Sequence, residues 1–336
     1  MSIGYIRAEL HNHSTESDGS LSVKELVSYG EQKGFQVMAI TDHNTASGQD
    51  KALYEARNKK IEILPGIEIT TFYGHILALG LRRMVDFADL DVNSPEKFIR
   101  KLKEAGARAV GMAHPFCVGE PVMVGCRMSL KLRYLEMLDY IEVFNTSGGD
   151  LFSGNKQALE WWESLVLQGI PVAAVTGIDL HSLPVKQHVF TTYAIDDREE
   201  PEKEKVSKAE LVLRAILRQK TIVTKGPLFA SRLEHGILKV QFEKVGHDGY
   251  VMKGENQDWP EDRDFDWLET EDLFLYVREN TGMEHKIRIS GQESLEIPVS
   301  CRMKSAYLEL YQGEKSEKNF KNLVAVGAPV YGEETR

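Results

Sequence analysis

Histidines and carboxylates recur at the ends of short apolar runs through the first half of this chain. "YIRAEL" (5–10) leads into "HNH", "FQVMAI" (35–40) into "TDHN", and "ARAVGMA" (107–113) into "HPF". "VTGIDLHS" closes the series, with Asp179 and His181 spaced as His11 and His13 are. This pattern restricts the fold strongly. Polar side chains that follow successive strands meet only if the strand ends share one rim, as the carboxyl ends do in parallel α/β architectures.

The remaining apolar runs fit that reading: "IEILPGIEIT" (61–70), "YIEVFN" (140–145), "IPVAAV" (170–175) and "HVFTTYAI" (188–195). Segments with helical spacing lie between them. One starts at Ser22, with Glu25 three residues on as a capping box; others span about 47–60, 95–105, 128–138, 154–168 and 207–219. Gly34, Gly106 and Gly169 each follow a helical segment and precede a strand, as glycines at helix C-termini do. Strand and helix alternating about seven times predict a mostly parallel sheet, open or closed into a barrel. "DDREEPEKEKVSK" reads as a solvated connection. From Leu228 onward the pattern changes to strand-like runs, "ILKVQFE", "LFLYVREN", "HKIRIS", "LEIPVS", "AYLELYQG" and "LVAVGAPVY". Residues 1–227 and 228–336 are therefore expected to form two domains, the second smaller, mainly β and sandwich-like. "NQDWPEDRDFDWLE" (256–269) reads as a loop of the second, with Trp259, Phe265 and Trp267 as packing aromatics.

The formal charge of −10, from 41 basic and 51 acidic residues, argues against strong non-specific binding of nucleic acid, which uses a basic face. The opening residues lack the apolar core of a signal peptide, and no stretch approaches membrane-spanning length. Cys117, Cys126 and Cys301 form no CxxC pair. A reduced, cytoplasmic setting is expected, with Cys117 a buried structural thiol.

The candidate ligands add up along the chain: His11, His13, Asp18, His43, Glu68, His75, His114, Asp179 and His181, with Glu142 and Asn145 at the same rim. Any one histidine alone is best read as a hydrogen-bonded loop residue. Together they point to metal. Imidazole mixed with carboxylate suits Zn, Mn or Fe rather than Ca or Mg, and the donors exceed what one ion needs, so two or three ions are expected.

"HNHSTESDG", "AITDHNT", "PGIEIT", "AHP" and "GIDLHS" resemble, in order, the motifs of the PHP superfamily (polymerase and histidinol phosphatase). "GHILALG" and the β appendage ending "AVGAPVY" are similar to its CehA/McbA-like branch. The resemblance implies a distorted (β/α)7 barrel with two or three metals at its carboxyl rim. It implies one ion on His11, His13, Glu68 and Asp179, a second bridged by Glu68 to His75 and His114, and a third on Asp18, His43 and His181. The activity implied is phosphoester hydrolysis of a small phosphomonoester, nucleotide or short oligonucleotide by water activated on the ions. A carboxylic-ester or amide hydrolase is the alternative, and a non-catalytic metal scaffold the third reading. His181 and Asp42 are the side-chain candidates for the leaving-group proton, with Asp42 expected to orient a ligating histidine. Arg7, Arg127, Arg133, Lys186 and His188 could meet a phosphate, though each alone reads as plain surface charge. No GxSxG or GxxxxGK[ST] motif offers a competing chemistry. The branch's range of hydrolases, and a possible homo-oligomer, leave substrate and assembly open.

Overall fold

A computed structural model of the chain describes residues 3–119, 121–145, 153–183, 190–198, 206–243, 273–289, 293–312 and 318–332. Lys186, His188, the "SGGD" turn (147–150) and the aromatic segment 256–269 lie outside the described residues.

The N-terminal part runs β1 (Gly4–Glu9), α1 (Val23–Gln32), β2 (Val37–Ile40), α2 (Gln49–Ala56), β3 (Glu62–Thr71), β4 (Gly74–Leu79), α3 (Glu96–Glu104), β5 (Ala109–Met112), β6 (Tyr140–Asn145), α4 (Ser153–Leu167), β7 (Ala173–Gly177), β8 (Thr191–Asp196), α5 (Lys208–Leu217) and β9 (Thr221–Thr224). The remainder is β: β10 (Phe229–Glu234), β11 (Ile237–Phe242), β12 (Leu273–Glu279), β13 (Glu284–Ile289), β14 (Ser294–Pro298), β15 (Ser305–Gln312), β16 (Leu323–Val326) and β17 (Val330–Tyr331). The box at Ser22 forms as the sequence suggests, its hydroxyl taking the Glu25 N–H while the Glu25 side chain returns to the Ser22 N–H. Among the described residues no helix is long and apolar enough to cross a membrane.

The fold is mixed α/β, built on one large sheet ordered β13-β12-β15-β16-β9-β8-β1-β2-β3-β4-β5-β6-β7. Strands β1–β2–β3 and β5–β6–β7 pair in parallel, while β4 is antiparallel to both its neighbours and β8 to β1 and β9. The parallel central strands expected from the sequence are found, with β4 and β8 as antiparallel exceptions. Only Phe72 and Tyr73 separate β3 from β4, and so short a link can join only antiparallel strands.

Among the described residues the ladder does not close into a barrel, yet β7 lies beside β8 and β9. Threonine side chains span the seam: the Thr176 N–H donates to Thr192 Oγ1 at 2.8 Å, and Thr221 Oγ1 donates to the Ala174 carbonyl at 2.8 Å. Helix α5 covers the far end. Its Glu210 takes both guanidinium nitrogens of Arg108, just before β5, and the Ala209 N–H donates to Glu62 at the start of β3. Val212, Leu213 and Ile216 pack there against Ala8, Val37, Leu64, Leu79 and Ala109. With that end plugged, polar side chains gather at the opposite rim.

The segment 128–138 needs correcting, because it holds only a short 3-10 turn, Leu135–Met137. Tertiary partners take its backbone donors: Ser129 N–H binds the Tyr73 carbonyl, Lys131 N–H the Val92 carbonyl, and Arg133 and Tyr134 N–H the Glu96 carboxylate. A helix would have needed those donors.

The later strands continue the large sheet, β16 pairing antiparallel with β9 (Ala325↔Thr224). A second sheet, β10-β11-β14, packs over it through Leu238, Val240, Ile297, Leu275, Leu308 and Leu310, with Tyr193, Ile195 and Ile222 of the N-terminal strands in the same core.

Thr192→Val keeps the volume but strands the buried Thr176 N–H at the seam. It should lower unfolding free energy by about 1–3 kcal/mol, measured by urea denaturation.

Candidate metal centre

The first and last polar motifs are zipped together. The Asp179 N–H donates to the His11 carbonyl at 2.9 Å, the His13 N–H to the Leu180 carbonyl at 3.0 Å, and the Ser20 N–H to the His181 carbonyl at 2.7 Å. Loops far apart in sequence therefore share one backbone ladder at the rim. His43 and Glu68 form a similar parallel bridge. Because β4 runs antiparallel, its second residue, His75, stands opposite Thr70 at this same end.

Glu68 is the hub, fully buried. Its Oε2 lies 3.3 Å from His11 Nε2, 3.3 Å from His13 Nε2 and 2.8 Å from His43 Nδ1. Its Oε1 lies 2.9 Å from His75 Nδ1 and 3.2 Å from His114 Nε2. Asp179 Oδ1 completes the inner face, 3.3 Å from His11 Nε2 and 3.0 Å from His13 Nε2. At the outer edge Asp18 Oδ1 reaches His43 Nε2 at 3.5 Å and His181 Nε2 at 3.4 Å. All the metal-ligand candidates read from the sequence are brought together.

Asp42 is placed differently. Its carboxylate accepts the Ser14 N–H and the hydroxyls of Ser14 and Ser17, and among the described residues no imidazole is its partner. It shapes the loop that carries Asp18 instead of orienting a ligating histidine. The orienting carboxylate is Glu142, whose Oε1 meets His11 Nδ1 at 3.0 Å while its Oε2 takes the His114 N–H and Asn145 Nδ2. Arg7 stacks on Phe35 and donates to the Lys33 carbonyl, away from the rim.

Two positions escaped the sequence reading. Glu9 is buried beneath the cluster and accepts the N–H groups of His11 and Ile178; a carboxylate at the end of β1, two residues before His11, was its only signal. Gly177 lies where a Cβ would come within 2.1 Å of Glu142 Oε1 and 2.5 Å of His11 Cβ.

The donor chemistry fits cations. His11 Nε2, His13 Nε2, Glu68 Oε2 and Asp179 Oδ1 are buried and close, but none is engaged in a well-formed hydrogen bond among the described residues. Buried donor atoms that converge without hydrogen-bond partners are what a shared ion requires. Donors roughly 2.0–2.2 Å from such an ion stand about 3–3.5 Å from each other, which matches these separations.

Electrostatics agree. Burial opposes charge on His11, yet Asp179, Glu68 and Glu142 outweigh it and hold its pKa well above the ordinary value. Burial likewise opposes charge on His114, but Glu68, Asp179 and Glu142 lift it to about 9. Glu68 and Asp179 lie well below the usual carboxylate range: burial would raise them, but His11 and the neighbouring histidines prevail. Glu9, lacking such compensation, is pushed up by burial to about 8.

The PHP domain model matches residues 9–335. The chain belongs to the PHP domain family. Among curated relatives, a 5'-3' exoribonuclease of Haemophilus influenzae is 46% identical over 63 residues, covering 19% of this chain and 23% of that protein. A 3',5'-nucleoside bisphosphate phosphatase of Chromobacterium violaceum is 31% identical over 107 residues, covering 31% of this chain and 36% of that protein. The alignments thus span a minor part of either relative. A solved two-domain protein of Bacteroides vulgatus, described as containing a PHP-like metal-dependent phosphoesterase, superposes with a TM-score of 0.51 at 15% identity, covering 92% of this chain and 90% of that one. That likeness supports the fold of the PHP chain.

In ion-free protein, protonated His114 contributes stability that is fully present below pH 6.5 and lost as pH rises through about 9. Thermal unfolding of chelator-treated protein should show this decline, and saturating Mn(II) should flatten it by replacing protons with ions. Gly177→Ala should displace Glu142 and lower both melting temperature and metal content, read by calorimetry and elemental analysis.

Proposed function

We propose that this PHP protein is a metal-dependent phosphoesterase that hydrolyses a small phosphorylated compound, a phosphomonoester, nucleotide or short oligonucleotide. The observation that carries the reading is the convergence on Glu68 of buried donor atoms that have no well-formed hydrogen-bond partner among the described residues. Membership of the PHP family and relatives named for phosphatase and exoribonuclease activity support it.

On this reading His11, His13, Glu68 and Asp179 hold one ion, Glu68 bridges to a second on His75 and His114, and Asp18, His43 and His181 hold a third. Divalent transition-metal ions bound there would supply Lewis acidity and shift the pKa of water toward neutrality. The chain's own residues do the positioning. Glu142 orients His11, and Asn145 Nδ2 links Glu142 to Asp179 at 2.9 and 3.4 Å. His181, the most exposed of the cluster histidines at 37%, is the candidate to pass a proton to a departing alkoxide where its Nε2 is not taken up by the third ion. Asp42, enclosed by serine hydroxyls, is not. The catalytic part is residues 1–227, since every residue of the cluster precedes Ser182.

A carboxylic-ester substrate is the second reading. Phe72, Val122, Met123 and Val124 are exposed beside the β3–β4 hairpin, a surface suited to an uncharged leaving group.

Phosphate release from a phosphomonoester and nucleotide panel, beside a p-nitrophenyl carboxylic-ester panel, both with Mn(II), tests the choice. Phosphate release that a chelator abolishes is expected; ester turnover without it would overturn the first reading. Glu68→Ala should lower turnover by roughly 100-fold or more and remove two ions, whereas Asp18→Ala should remove one.

A further inference from the structure

Cys117 and Cys126 are buried, at 4% and 7% exposure, directly behind His114. Cys126 Sγ lies 3.8 Å from His114 Nδ1, and one donor atom from each of the three residues falls within 4.8 Å of the others. Nothing in the proposed reaction uses these thiols.

His114 is gripped from every side. Its N–H donates to Glu142 at 2.7 Å, its carbonyl accepts the Cys117 N–H at 2.9 Å, and Nε2 faces Glu68 Oε1 at 3.2 Å. Its φ of +26° lies in a region that non-glycine residues seldom occupy, a cost that surrounding contacts must offset. The segment that brings Cys126 into place is itself pinned to the hairpin, with the Met128 N–H on the Pro115 carbonyl and the Ser129 N–H on that of Tyr73.

A neutral imidazole carries one N–H and one lone pair, and what the first nitrogen meets decides where the second points its electrons. His11 turns Nδ1 to the Glu142 carboxylate and His181 turns Nδ1 to the Asp179 carbonyl. His114 turns Nδ1 to sulfur. If its proton sat on Nε2, it would bond to Glu68 and block the cation position between them.

We propose that Cys126, backed by Cys117, is a positioning residue for His114: its sulfur accepts the Nδ1–H and so keeps the Nε2 lone pair facing Glu68 and the second ion. This rests on the metal-centre reading above. A sulfur acceptor is weaker than the carboxylate behind His11, so the second ion is the more loosely held of the two that share Glu68, and its retention depends on the thiol.

The test is metal content by elemental analysis after equilibration against a series of buffered Mn(II) activities, for full-length wild type, Cys126→Ala, Cys126→Ser and Cys117→Ala. Melting temperature serves as the control for folding. Cys126→Ala should weaken one equivalent about 10-fold or more and leave the others unchanged, and Cys126→Ser, which keeps an acceptor, should recover most of the loss. Should both alanine variants fold poorly, Cys126→Ser with Zn(II)-loaded wild type decides, because long-range proton–nitrogen NMR shows directly whether His114 carries its proton on Nδ1. Unchanged affinity in a folded Cys126→Ala, or a proton on Nε2, would overturn the proposal. A thiolate-to-cobalt charge-transfer band in Co(II)-loaded wild type would also overturn it, by making the thiols ligands. Wild type that takes up no ion would instead strike the metal-centre reading itself.

Discussion

The buried carboxylate of Glu68 is the constraint around which the rim is arranged. Removing a carboxylate from water costs several kcal/mol, recovered only through well-placed opposite charge. Here imidazoles from β1, β2, β4 and β5 or the turns after them supply it. In the absence of ions the compensating charge is protons, which explains why His11 and His114 are held above their ordinary pKa while Glu68 and Asp179 are held below theirs. Cations can take over the same role. Proton release and ion uptake are then two sides of one equilibrium at this site.

The rest of the fold serves that convergence. Parallel strands deliver His11, His43, His114 and Asp179 to one end, and the β3–β4 hairpin adds His75 from the opposite chain direction. Helix α5 closes the other end through Glu210, Arg108 and the Ala209 N–H. Where the ladder stops, threonine hydroxyls hold β7 beside β8 and β9, so Asp179 stays registered with His11 although, among the described residues, no strand ladder joins β7 to β8. The later strands extend the same sheet from β9, on the side where the seam lies.

Much of this was legible in the chain because ligand residue types and strand periodicity are local signals. His11 and His13, Asp42-His43, His114 and Asp179-Leu180-His181 all follow apolar runs, and their meeting at one rim follows from topology alone. What escaped was settled by distant partners. The 128–138 segment has helical spacing but spends its donors on Tyr73, Val92 and Glu96. Asp42 adjoins a candidate ligand in sequence, yet its carboxylate is claimed by Ser14 and Ser17; Glu142, a hundred residues beyond Asp42, meets His11 instead. Gly177 is required by a Glu142 oxygen that local sequence cannot reveal. Residue type shows which atoms can bind, but not which atom already has a partner.

Burial also grades the centre from inside to outside. His11, His13 and Glu68 are fully enclosed, whereas His43, His181 and Asp18 are 21%, 37% and 58% exposed. Electrostatic attraction is strongest where water is excluded and falls toward the edge. An inner pair of ions would therefore be held by the fold's own charge balance, and an outer one by groups that solvent already reaches. On the proposed reading a substrate approaching from solvent would meet the outer group first, with the exposed side chain of Phe72 to one side. The enclosed donors would then set the charge of the centre, and the exposed ones what can be brought to it.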